Sequence, residues 1–167
     1  RKSDPVFTTE TPRAGWVLVD PTILQDSTSK NYTQQTKLLR EYAKTLKNIT
    51  PQERAAIDQW LTEIETRANN STDEAIWKPA AIELSNLPLN QLFRNRACET
   101  LQTMATFFLT LNIRHLSNIY DWGISRFASG HLAWGGYFDS QGASLSVRSP
   151  WGANGWSGLV PSRRVSS

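Results

Sequence analysis

Seven arginines and no lysine carry the positive charge of the second half of this chain: Arg94, Arg96, Arg114, Arg126, Arg148, Arg163 and Arg164. Only Glu99, Asp121 and Asp139 oppose them, so residues 91–167 carry seven basic groups against three acidic ones, a balance of +4. Residues 1–90 hold eleven Lys and Arg against twelve Asp and Glu. Arginine is a planar, permanently charged fork that meets phosphate or carboxylate through paired hydrogen bonds. The chemistry this points to is recognition of a nucleic-acid backbone, which requires well-placed positive charge and no base-reading motif. Arg96 and Arg114 lead the set. With Glu99, Thr103, Thr110, Ser117 and Asp121 they share one stripe of a helix drawn through residues 90–127. The opposing readings are that Glu99 and Asp121 neutralise that stripe as an internal seam, and that arginine merely tolerates partial burial.

Catalytic chemistry finds little to work with. The only near-neutral acids or bases are His115 and His131. His115 projects onto the apolar arc of the same helix, as a core histidine does, and no carboxylate stands in a triad relation to His131. Glu63 and Glu65 are two apart and point to different helix faces. The sequence has no nucleophile elbow, no phosphate-binding glycine loop and no dinucleotide fingerprint. Cys98 is the sole cysteine, which excludes an internal disulfide framework and leaves a zinc site without ligands. The expectation is a non-enzyme with no metal and no cofactor.

A second kind of chemistry lies in residues 128–167, which hold seven of the nine glycines and nine serines together with Trp134, Tyr137, Phe138, Trp151 and Trp156. Large rings on a flexible chain suit a docking arm, since each buries a large area at small entropic cost. Trp16, in the run Trp16-Val17-Leu18-Val19, is the matching anchor at the other end.

The elements that must position these groups read as mainly α. Residues 1–31, interrupted by Pro5, Pro12 and Pro21, form an extended N-terminal arm with one short strand-like run. Residues 32–127 form an antiparallel helical bundle. Its first helix, 32–48, buries Leu38, Leu39, Tyr42, Ala43 and Leu46. Its second begins at the capping box Thr50-Pro51-Gln52-Glu53 and buries Ile57, Trp60, Leu61 and Ile64. A connector over 73–89, broken by Pro79 and Pro88, plugs the side with Trp77 and Ile82. Asn90 then caps one long central helix, bent near Asn112, which is apolar over more than half its surface and so must be covered from several sides. Residues 128–167 are the C-terminal arm, with a short strand over 143–148.

The functional expectation is a self-assembling structural subunit: a viral coat or nucleocapsid protein. Its arms clasp other copies of itself, and its arginines neutralise nucleic acid, with single-stranded RNA the expected form. Exposed tryptophan or tyrosine would stack its bases. The alternative is a non-catalytic adaptor within a larger protein complex. Cysteine usage and the lack of a leader pattern place either in a virion or the cytoplasm rather than outside the cell. The most apolar run, 104–113, is about half a membrane span.

Overall fold

The structure is a computed structural model in which residues 3–58 and 73–165 are described. The expected mainly-α bundle with two extended arms is overturned: the fold is mixed α/β, with 40% of the described residues in helix and 22% in strand, and with two sheets among them, one curled into a half-barrel. In chain order the elements are α1 (Pro5–Thr8), β1 (Trp16–Val19), α2 (Tyr32–Thr45), α3 (Pro51–Asp58), α4 (Glu74–Asn86), α5 (Pro88–Phe93) and α6 (Ala97–Leu111). These are followed by β2 (Tyr120–Arg126), β3 (Leu132–Asp139), β4 (Gly142–Arg148), β5 (Ser157–Gly158) and β6 (Ser162–Val165). The larger sheet runs β4-β3-β2-β5, with β2 and β5 parallel and the other pairs antiparallel. The smaller is a ribbon of β1 and β6.

The early helices form where capping and periodicity place them. Asn31 and Gln34 close a reciprocal capping box on α2, which buries Leu39 and Ala43. On α3, Glu53 N–H donates to Thr50 Oγ1 at 3.2 Å and Thr50 N–H donates to Glu53 Oε2 at 2.8 Å. Thr50→Ala is therefore expected to cost about 1 kcal/mol of unfolding free energy in urea titration, and an unchanged midpoint would deny the cap any weight. The expected core positions Trp60, Leu61 and Ile64, with Glu63 and Glu65, lie outside the described residues. Helix α4 runs through Pro79 instead of breaking there, ends at the pre-proline Leu87, and leaves Ile82 exposed while Trp77 is buried.

The long central helix is the main correction. It divides into α5, α6 and β2. Asn90 does not cap it: its buried side chain sits within α5, donating to Leu84 O and accepting from Arg94 Nε. Between α5 and α6 the chain is extended because β2 uses it: Ile124 N–H donates to Asn95 O at 3.0 Å and Ala97 N–H to Ser125 Oγ at 2.7 Å. A Cβ on Gly123 would stand 2.9 Å from Asn95 O, so glycine permits this approach. At the far end Asn112 turns left-handed, φ 55°, and its N–H closes α6 on Phe108 O. Beyond it, aromatic and β-branched residues pair as a strand.

The C-terminal stretch is not a free arm. On one face of the large sheet Trp122, Leu132 and Trp134 pack against Tyr32 of α2 and Ala80 and Leu84 of α4. On the other, Ala133, Leu145 and Val147 meet Ala97 of α6 and Val6 of α1. The sheet is thus the central layer. The remaining clusters join Leu39, Ile57 and Phe93 to Leu159, and Met104 to Leu116 and Val160.

Candidate docking surface

Strand β1 alternates exposed and half-buried residues, so Val17 and Val19 turn inward while Trp16 and Leu18 turn to solvent. Trp16 is 83% exposed and stands directly across from exposed Val165. Leu18 continues the same face. A second apolar exposure lies at the end of α6, where Leu109 (81%), Leu111 and Ile113 face solvent. The sequence required that helix to be covered on several sides. Among the described residues the chain covers Ala97, Thr100, Met104 and Phe108, and leaves the face of Leu109 open.

What holds the ribbon in place is Glu99. Its carboxylate accepts from Arg13 N–H (2.7 Å), Arg13 Nε (3.0 Å), Arg13 Nη2 (2.8 Å) and Arg96 N–H (2.7 Å), and forms an ion pair with Arg164 of β6. Burial pushes this carboxyl up, but the Arg13 side chain, the two backbone N–H groups and the Arg13 charge outweigh that and bring it down to about 2. The segment before β1, the start of α6 and strand β6 therefore meet on one carboxylate. Sequence reasoning did not single out Arg13, and no local pattern signals a partner 86 positions away.

The seven arginines separate into two groups. Arg94 is buried over the Tyr32 ring, 4.2 Å from its centroid, and donates to Asn90 and to Trp122 O. Arg163 pairs with Glu53 at 2.9 Å and donates to Asn48 O. Arg164 is held by Glu99, and Arg96 caps α6 and donates to Thr11 O. These four are structural members of the chain's own fold. Arg114, Arg126 and Arg148 have no carboxylate partner among the described residues. Arg114 and Arg148 are exposed over Phe108 and Trp134 respectively. Arg126 and Arg148 flank Leu132 in one cross-strand row, while Arg114 sits beyond the end of α6. Arg96 and Arg114 do not share a stripe, because the helix that would align them ends between them.

The aromatic anchors divide similarly. Trp134 is buried and stacked on Trp122 at 5.5 Å, and Trp151 packs half-buried on the same cluster. Phe138 meets Phe108 edge-on near Met104. Only Trp16, Tyr137 and Trp156 are exposed. Tyr137 adopts φ 52°, costly for a bulky residue, just after the register shift at Gly136. A Cβ on Gly136 would overlap Ile119 O. That bulge turns the Tyr137 ring onto Tyr120 (5.5 Å, stacked) and toward Trp156 (6.4 Å).

Among the described residues, the two histidines and the cysteine sit in separate environments. His115 is buried in the turn after α6, stacked on Phe107 at 4.8 Å, and burial lowers its pKa, so it is neutral at pH 7. His131 contacts Ser129 Oγ at 2.9 Å and lies against Trp77. Burial pushes the Cys98 thiol up, away from the reactive thiolate. No cluster of three metal-ligating side chains occurs among the described residues, and no described helix is long and apolar enough to cross a membrane. Compared with known proteins, the chain matches no family model, no curated protein and no solved structure.

Proposed function

We propose that this chain is a non-catalytic docking subunit of a protein assembly. The observation that carries this reading is the exposed apolar surface on two separate elements: Trp16, Leu18 and Val165 on the β1–β6 ribbon, and Leu109, Leu111 and Ile113 at the end of α6. Single exposed apolar residues are ordinary, but groups of them on regular elements mark interaction sites. The ribbon is anchored from beneath by Glu99, so its outer face is presented on a rigid support, as an interface requires.

A second reading, a self-assembling coat subunit around nucleic acid, draws support from Arg114, Arg126 and Arg148. Phosphate contacts need cations not already engaged, and these three have none of the carboxylate partners that hold Arg163 and Arg164. Four of the seven arginines are engaged within the fold, which favours the protein-docking reading.

Light scattering on a sizing column, with absorbance read at 260 and 280 nm before and after nuclease, tests both. The docking reading expects a protein-only spectrum and association that survives high salt. Trp16→Ser with Leu109→Ser should reduce the associated species at least about tenfold while leaving the thermal midpoint within about 2 °C. Nuclease-sensitive material lost at high salt would instead favour the coat subunit. A monomer that gains nothing from any protein partner, with both apolar faces dispensable, would remove the docking reading.

A further inference from the structure

Among the described residues, strand β1 has one partner and one open edge. Its register sets Trp16 against Val165, Val17 against Arg164, Leu18 against Arg163 and Val19 against Ser162, and Asp20 N–H continues the ladder by donating to Pro161 O at 3.0 Å. Bonded and non-bonded pairs alternate along antiparallel strands. Counting back from Asp20, residues Leu18 and Trp16 exchange backbone bonds with β6, while Val17 and Val19 turn N–H and C=O the other way. Among the described residues those outward groups meet no partner.

Nothing blunts this edge. The run Trp-Val-Leu-Val carries no lysine, no proline and no bulge, the usual devices against pairing with another chain. Two-stranded ribbons are marginal by themselves, and a third strand stabilises them. The open edge also borders a groove of about 650 Å³ that runs to α6, lined by Trp16, Val17, Val19, Thr103, Phe107 and Arg164. The groove is uneven in charge. Arg13 and Arg164 both converge on Glu99, and Arg96 stands close to them. The carboxylate of Glu10, the next acid along, is turned to the Ser125 hydroxyl. Two guanidinium groups, those of Arg13 and Arg164, thus share one carboxylate, with the Arg96 charge near them, and Arg164 Nε is buried without a hydrogen-bond partner. Arg164 lies across from Val17 and reaches Glu99 from the inner face of the ribbon.

We infer that the open edge of β1 takes a third strand from an acidic protein partner: an extended segment with a carboxylate opposite Val17 and apolar residues on either side of it. Val17 and the acidic residue exchange two backbone hydrogen bonds, the mode by which peptides extend exposed sheet edges. The carboxylate falls on the inner side, beside Arg164, and the flanking apolar side chains lie on the outer face beside Trp16 and Leu18. The inference rests on the docking reading above and names both the mode of docking and the chemistry of the partner.

Calorimetric titration of the full chain with two peptides, acetyl-SVTVDVTVS-amide and acetyl-SVTVNVTVS-amide, tests it. The aspartate peptide is expected to bind at least about tenfold tighter than its asparagine counterpart at low salt, with the gap narrowing as salt rises. Val17→Pro removes an N–H that faces away from β6, a position where edge strands accept proline, so it should weaken binding at least about tenfold with the ribbon intact. Methylation of the aspartate nitrogen in the peptide should do the same with the protein untouched. Equal affinity for the two peptides overturns the carboxylate, and binding indifferent to both Val17→Pro and the methyl group overturns strand addition. Absence of binding near about 1 mM overturns both. If the peptides fail while Trp16→Ser still dissolves an assembly, the docking reading stands and the strand-addition mode falls.

Discussion

Glu99→Gln is expected to lower the unfolding free energy at pH 7 by about 3 kcal/mol, enough to move the thermal midpoint down by about 10 °C in a chain of this size. The side chain is 6% exposed, so solvent screens its contacts little. It accepts four hydrogen bonds of 2.7–3.0 Å from Arg13 and Arg96 and also pairs with Arg164. The carboxyl moves from an ordinary 4.5 to about 2 despite a burial penalty in the other direction. A change of that size in one group corresponds to about 3 kcal/mol of differential stability. Glutamine keeps the shape and some of the hydrogen bonds but leaves two guanidinium groups facing each other without a counter-charge. Because the folded pKa lies below the unfolded one, the stabilisation is fully present above about pH 4.5 and is lost as pH falls toward 2. Wild-type stability should therefore slope downward between those limits, and the Gln variant should lack that slope. Urea titrations at pH 7, 4 and 3 decide the matter: a variant as stable as wild type at pH 7 would show that Glu99 is not the anchor of the ribbon.

The elements that follow from local rules alone were readable in the sequence. The Thr50–Glu53 box starts α3, the run at Trp16–Val19 is β1, and the alternation noted over 143–148 is β4. Those signals involve neighbours a few positions apart. The apolar residues of 90–127 satisfy a helical period as well as a strand's, and only tertiary partners choose between them. Arg94 makes the choice at one end by donating to Trp122 O across 28 positions, and Asn112 makes it at the other by adopting the left-handed cap. In the sequence, the glycine-rich composition around Trp134 suggests a ring on a flexible chain. In the fold, Trp122 and Trp134 instead lie directly opposite on β2 and β3, where the small neighbours Gly123 and Gly135 let Asn95 and Thr100 approach. The arginine set could be enumerated, yet which members are engaged depends on Glu53 and Glu99, distant in sequence. The open edge of β1 has no sequence signature either. Four apolar residues say that a strand forms, and only the register with β6, nearly the whole chain away, says which of its backbone groups are left over.

Asp121 carries the opposite pH dependence. It is fully buried at the start of β2, beside a cavity of about 10 Å³ that it shares with Asn95, Thr103, His115 and Val19. Burial pushes its carboxyl up, while the Arg94 charge and N–H bonds from Val160 (3.2 Å) and Trp122 pull it back, leaving it at about 7 against an ordinary 3.8. The folded state thus holds a proton that the unfolded chain releases earlier. Its contribution is complete below about pH 4 and is lost as pH rises through 7, by up to about 4 kcal/mol. Glu99 and Asp121 thus act in opposite directions, the first losing its contribution as pH falls below about 4.5 and the second as pH rises toward 7. Asp121→Asn keeps a neutral side chain of the same shape, able to accept the Val160 and Trp122 N–H groups, and removes the charge that burial penalises. The variant is expected to match wild type near pH 4 and to exceed it by about 4 kcal/mol at pH 8, with a nearly flat profile between. Denaturant midpoints at half-unit pH steps would show this directly. Parallel profiles for the two proteins would mean that Asp121 is ionised in the fold, with Arg94 outweighing its burial.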